Sequence, residues 1–260
     1  MSIPGMLVGN IDVTQIVLAA FVLFFVLLVF HLRAEDKREG YPMVDPATGA
    51  LEDGFPPIPR PKTFRLMEGG LAYAPHEDTL RTFALERLHD DPGSPLTPTG
   101  DPLLDGVGPA AYGLRRTEPL IYREGHIQMA PLRLLGGWAL GDGDPDPRGM
   151  TVLGVDGKAA GVVTDVWIDK SVKILRYLEV EVGVGPGAPA GRRILLPIYH
   201  TDIKRRAREV RVKAARAARF ADAPGPAQPD VVTAREEDQI NAFWAGARFY
   251  RDQMIQEPLA

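Results

Sequence analysis

The feature that most limits what this chain can become is an unbroken apolar run from Ile16 to Phe30, extended by weaker flanks to Ile11 and Leu32. As a helix, residues 11–32 would span about 33 Å at 1.5 Å per residue. That length matches a bilayer hydrocarbon core of roughly 30 Å. A helix in a soluble core keeps a polar face, and this run has none. A cleaved leader carries its positive charge before the apolar stretch. Here the first ten residues hold no Lys or Arg, and Arg33, Lys37 and Arg38 come after the run. The expectation is a retained single span with its N-terminus outside and the bulk of the chain in the cytoplasm. Asp12, Thr14 and Gln15 would sit at the outer end, where water or headgroups solvate them. Arg33, Lys37 and Arg38 are candidates for holding anionic lipid headgroups at the inner surface, orientation alone being their simpler role.

The 260 residues leave room for a sizeable core in one large or two small domains. A formal net charge of -4 argues against a dedicated nucleic-acid binder. With no cysteine, disulfides, thiolate metal sites and cysteine nucleophiles are excluded. The 27 Gly and 24 Pro favour short strands and turns over a helical bundle. They are dense between Gly40 and Pro109, above all in Phe55-Pro56-Pro57-Ile58-Pro59-Arg60-Pro61, where proline forbids helix and the chain must run extended. The stretch holds too much Leu, Phe and Tyr for a solvated linker, so it is expected to lie along a partner surface or the rest of the chain. Thr63 to Ala74 suits a hairpin turning at Glu68-Gly69-Gly70.

After the Asp156-Gly157 turn signal the apolar period becomes two. Val162, Thr164, Val166 and Ile168 alternate with Val163, Asp165, Trp167 and Asp169. Tyr177 to Val182 repeats the pattern, with Leu178, Val180 and Val182 on one face and two carboxylates on the other. A Gly-rich hairpin loop, Gly183 to Gly191, leads to a third strand at Arg192–Pro197. Such strands suggest a small closed or half-closed barrel. Residues 204–219 carry eight Lys or Arg and much Ala, which propensity reads as a basic helix, but Val210-Arg211-Val212 alternates like a strand. We expect a hairpin across Arg205 to Glu209. Thr233-Ala234-Arg235-Glu236 has capping-box spacing and should open a helix. Ile240, Phe243, Trp244, Ala247, Tyr250 and Met254 form its packing stripe, and Gly246 marks a close contact.

Asp142, Asp144 and Asp146 imitate the start of a calcium loop, but Pro147 stands where glycine is needed and Leu153 where a bidentate carboxylate is needed. A turn-rich loop is the better account. The five histidines show no tight metal spacing, and no local grouping pairs a nucleophile with a base. One cluster could do chemistry: Tyr122-Arg123-Glu124-Gly125-His126, in a loop able to join Asp169 at the end of the Trp167 strand. Imidazole titrates near neutral pH and can relay protons, though an ordinary solvated loop is the simpler alternative.

Several segments carry a resemblance beyond these patterns. They are Arg38-Glu39-Gly40-Tyr41-Pro42, Pro61-Lys62-Thr63-Phe64, Pro98-Thr99-Gly100-Asp101-Pro102, Asp105-Gly106-Val107-Gly108-Pro109-Ala110, Asp165-Val166-Trp167-Ile168-Asp169, Arg176-Tyr177-Leu178-Glu179-Val180-Glu181 and Glu236-Glu237-Asp238. In this order, and together with the span, they resemble the H subunit of purple-bacterial photosynthetic reaction centres.

The resemblance implies a mainly β protein: periplasmic tail 1–10, transmembrane helix 11–32, extended segment 33–109 on a partner surface, PRC-barrel-like domain 110–230 and C-terminal helical segment 231–260. It implies a non-catalytic subunit of the photosynthetic inner membrane that caps the L and M subunits. Those partners would hold bacteriochlorophyll, bacteriopheophytin, quinones and non-haem iron, with none bound by this chain alone. Light-harvesting antenna, a cytochrome subunit and membrane lipids would lie nearby, and nucleic acid would not be a partner. The family also assists proton delivery to the secondary quinone, because a buried quinone gaining electrons must gain protons. Carried over by position, His126 matches one of a surface histidine pair and Glu124 stands at the other. Asp169 is retained, while Tyr122 and Val172 stand where ionisable residues are usual. A membrane-anchored PRC-barrel adaptor outside photosynthesis is the competing reading, and it gives no reason for the motifs outside the barrel.

Overall fold

The structure is a computed structural model that describes residues 6–8, 11–45, 48–67, 69–75, 82–91, 93–123, 125–183 and 191–250. It divides into two compact units, Met1–Arg81 with His89–Pro95, and Thr82–Leu88 with Leu96–Ala260.

In the first unit the apolar run forms helix α1, Val13–Asp36, which is long and apolar enough to cross a membrane and has no buried residue. Asp12 caps it by accepting from the Gln15 N–H at 2.8 Å, while the Gln15 side chain accepts from the Asp12 N–H. The helix continues a turn beyond Leu32. Nothing from His31 to Asp36 breaks it, and Glu35 pairs with Arg38 three residues on. Beyond the helix lie two short hairpins, Met43–Val44 with Leu51–Glu52 and Lys62–Arg65 with Leu71–Ala74. The second turns through Gly69 and Gly70 as its glycines predict, Glu68 being outside the described residues.

The second unit is built on a seven-stranded sheet. Its strands are β1 Met129–Pro131, β2 Thr151–Leu153, β3 Ala159–Asp169, β4 Ile174–Val182, β5 Arg192–Pro197, β6 Thr201–Lys204 and β7 Glu209–Val212. They lie in the order β5-β4-β3-β2-β7-β6, with β1 beside the far half of β3. Only the β2–β7 pairing is parallel. A single 3-10 turn, Ile198–His200, carries edge strand β5 directly into the opposite edge β6, so the sheet curls back on itself as a half-closed barrel. Lys204–Val212, the first part of the basic stretch, forms the expected β6–β7 hairpin and not an α-helix, because Val210 and Val212 bury their side chains in the core; the stretch then ends in a short 3-10 turn, Ala217–Ala221. Loop residues 184–190 lie outside the described residues, but Val182 and Arg192 pair across it.

Strict alternation fails in β3. Val163 pairs with Val180 and Asp165 with Glu179, which leaves Thr164 as the extra residue of a bulge. Past the bulge both faces are buried: Val166 and Leu178 pack on one, and Trp167, Tyr177 and Glu179 are covered on the other. Each fully buried Val, Leu or Ile contributes about 1.5–3 kcal/mol. Helix α2, Ala234–Phe249, starts with the predicted capping box between Thr233 and Glu236. It buries Ile240, Phe243, Trp244 and Ala247, while Met254 lies outside the described residues. A Cβ on Gly246 would come within 2.7 Å of the Ala110 Cβ, so only glycine admits the Gly108–Ala110 turn this close.

Candidate functional site

The proton-entry candidates lie around the end of β3. Ile121–Tyr122 and His126–Ile127 form a two-stranded hairpin in which exposed His126 is the direct partner of Tyr122, their rings 6.2 Å apart. The chain then enters β1, where Met129 pairs with Asp169. Between them, Gln128 donates from its amide to Asp169 Oδ2 at 2.9 Å and accepts from the Lys170 N–H at 2.9 Å. The structure therefore brings the His126 hairpin and Asp169 together through Gln128. Glu124, two residues before His126 in the sequence, lies outside the described residues. Asp169 is buried and also accepts from the Ser171 hydroxyl at 2.6 Å and the Ser171 N–H at 3.0 Å. Burial works against its charge, but these hydrogen bonds outweigh it and hold the carboxyl below its ordinary value. Asp169 is thus an ionised anchor for the hairpin. Val172, beyond it, is exposed.

A second polar centre was not foreseen. Asp165 and Glu179 are cross-strand partners, only 4% and 2% exposed, and like charges directly opposite repel. Arg133 resolves the conflict. Its Nη1 donates to Asp165 Oδ2 at 3.0 Å and to Glu179 Oε2 at 2.9 Å, and its Nη2 donates to Asp230 Oδ1 and the Pro229 carbonyl, both at 2.7 Å. The Trp167 indole and Thr164 hydroxyl donate to Glu179 at 2.9 Å, and Arg193 pairs with it at 3.3 Å. Partial burial opposes the Arg133 charge, but its hydrogen bonds to Glu179, Asp230 and Asp165 push its pKa further up. The sequence signal was the pair of carboxylates facing each other across the β3–β4 hairpin, which requires a cation from elsewhere.

On the same face of the sheet, two residues along β4 from Glu179, the Tyr177 hydroxyl donates to Glu237 at 2.9 Å and accepts from Asn241 at 3.0 Å. Burial, then the Glu237 charge and hydrogen bond, drive the Tyr177 pKa up, so the phenol stays neutral and keeps donating to Glu237.

His200 carries a pH dependence. It is 3% exposed, and neither ring nitrogen has a hydrogen-bond partner among the described residues. Burial, aided by the positive charge of Arg248, lowers its pKa from 6.5 to about 4. The unfolded chain takes up this proton near pH 6.5 and the folded chain does not. His200 therefore adds stability above that pH, and the contribution is lost as pH falls toward about 4, on the order of 3 kcal/mol in full. In denaturant titrations of the full chain in detergent, His200→Phe should flatten the stability difference between about pH 7 and about pH 5. An unchanged slope would contradict this assignment.

The cations that follow the apolar run part company. Arg33 is exposed at the end of α1. Lys37 is 2% exposed, donates to the Asp53 and Pro56 carbonyls and lies 5.1 Å from the centre of the Tyr41 ring. Arg38 makes a bidentate pair with Glu35, both bonds at 2.9 Å, and donates to the Arg60 carbonyl at 2.7 Å and the Ala74 carbonyl at 2.9 Å. Lys62 completes the clasp on Glu35. The partners of Lys37 and Arg38 are thus largely the Pro-rich segment of this chain, while Arg33 faces outward.

Two family models match the chain. Residues 142–218 match the PRC-barrel domain, the stretch that forms β2 to β7. Residues 5–134 match the photosynthetic reaction centre H-chain N-terminal region, and this half contributes β1 and Arg133 to the barrel. The strap motifs, the barrel and the order of the two matches give one conclusion: the chain belongs to the photosynthetic reaction centre H-chain family, whose members are structural subunits associated with the L and M subunits of the pigment- and quinone-bearing complex in the photosynthetic membrane.

Proposed function

We propose that this chain caps the L and M subunits on the cytoplasmic side and helps deliver protons to the secondary quinone as it is reduced. In this reading residues 11–32 cross the membrane with the N-terminus periplasmic, since Lys and Arg follow the span and none precedes it. Segment 33–109 lies on the partner surface, 110–230 is the barrel cap and 231–260 the C-terminal helical segment. Exposed Phe64, Met67 and Tyr73 support that placement, because large apolar side chains gathered along one strap call for cover. Arg33 is the cation best placed for a lipid headgroup, with Lys37 and Arg38 behind it in the clasp.

One observation carries the proton role: the His126 hairpin is fastened through Gln128 to ionised Asp169. An exposed imidazole, backed by a fixed negative charge, is placed to receive protons and pass them on. Glu124, two residues before His126, would supply a second acceptor. In the assembled complex, His126→Ala combined with Glu124→Gln should slow proton-coupled transfer of the second electron to the quinone by about tenfold or more. Primary charge separation should be intact. Flash-induced absorption across the neutral pH range checks this, and an unchanged second-electron rate would remove the entry assignment.

A further inference from the structure

The Pro-rich strap does not simply leave the end of α1; it folds back along it. Lys37 lies seven residues past Phe30, about 10 Å further along the helix axis. Yet the Phe55 ring packs edge-on against the Phe30 ring, with centroids 5.7 Å apart. Phe30 closes the apolar run, and Phe55 is 76% exposed. We propose that the Phe55–Ile58 tip of this strap is a second membrane-contacting element, inserted into the inner-leaflet interface beside α1 with lipid as its occupant. This rests on the reading of α1 as a membrane span.

Non-helical backbone is costly at that depth because unsatisfied N–H and C=O groups lose their hydrogen bonds to water. The tip is built to limit the cost. Pro56, Pro57, Pro59 and Pro61 have no N–H to satisfy. The carbonyls of Asp53 and Pro56 are taken by the buried Lys37 ammonium, and that of Arg60 by the Arg38 guanidinium. A protein groove could supply partners to an ordinary loop, so a stretch this poor in donors answers a requirement that lipid imposes. The apolar surface is continuous, since Phe55 prolongs the exposed face of α1 past Phe30. Exposed Arg33 and Arg60 flank it, where anionic headgroups would meet them.

The chain has no cysteine, so single nitroxide labels can be placed without background. Phe24→Cys, Phe55→Cys and Met67→Cys variants of the full chain would be labelled and reconstituted in phosphatidylcholine–phosphatidylglycerol vesicles, then probed by collision with oxygen and with a water-soluble nickel chelate. The expected order of nickel-chelate collision is lowest at 24, intermediate at 55 and highest at 67, with the value at 55 severalfold below that at 67. If 55 matches 67 while 24 stays shielded, the inserted tip is overturned and the span stands. If 24 is itself open to the chelate, the span falls and the inference with it. A label at 55 that loses access to both reagents when the L and M subunits are added would place protein there instead, overturning lipid as the occupant.

Discussion

Arg133→Met lowers the thermal midpoint of the full chain by about 10 °C or more. The substitution keeps much of the side-chain bulk but removes the only guanidinium that spans Asp165 and Glu179 together among the described residues. Those carboxylates stay buried, face each other across β3 and β4, and are left with the partial cover of Arg193. Breaking a buried ion pair by deleting one partner costs about 3–5 kcal/mol, and each kcal/mol moves the midpoint of a domain of this size by about 2–4 °C. Near-ultraviolet circular dichroism on heating reads the loss through Trp167, which donates to the same Glu179. A triple variant that also carries Asp165→Asn and Glu179→Gln should recover most of the stability, because neutral amides no longer require the cation. If Arg133→Met melts with the wild type, the cluster does not hold the barrel together.

Trp244→Ala is expected to be as damaging for a different reason. Trp244 is fully buried, meets Phe220 at 5.0 Å and Phe243 at 5.5 Å between ring centroids, and donates its indole N–H to the Leu195 carbonyl at 2.9 Å. It is the bolt between α2 and β5. Removing a buried tryptophan costs about 3–5 kcal/mol from lost contacts and the cavity left behind. Trp244→Phe should fall between the two, since it keeps an aromatic ring but leaves a buried carbonyl without its donor, at about 1–3 kcal/mol. Denaturant midpoints of the three proteins check the order. Equal midpoints for Trp244→Phe and wild type would show that the hydrogen bond adds nothing to the packing.

These two sites also mark how far sequence alone could go. The long apolar helix, the β6–β7 hairpin, the capping box at Thr233 and the Gly246 contact each rest on residues close together in sequence, where periodicity or a fixed spacing expresses the physics directly. The β6–β7 hairpin is instructive. Its composition favours a helix, but two buried valines in alternation outweigh a propensity worth tenths of a kcal/mol per residue. The Arg133 cluster gathers residues 133, 165, 179 and 230, and no spacing announces such a meeting. Its one legible sign, two carboxylates opposed on a hairpin, depends on a register that the Thr164 bulge sets. The clasp at the end of α1 was hidden for a related reason. Lys37 and Arg38 bind backbone carbonyls, which every residue has, so side-chain identity cannot reveal the partner. A meeting of the His126 loop with Asp169 was expected from the sequence, but Gln128 as the residue that joins them emerged only with the fold.

The central claim is that this chain is the H subunit of a pigment-bearing reaction centre. Its most direct test is the absorption spectrum of the affinity-tagged chain purified in mild detergent from its native membrane. Near-infrared bacteriochlorophyll and bacteriopheophytin bands should co-purify with it, together with two larger apolar subunits in equal amount. A colourless chain, recovered alone from membranes that retain those pigments, would contradict the account.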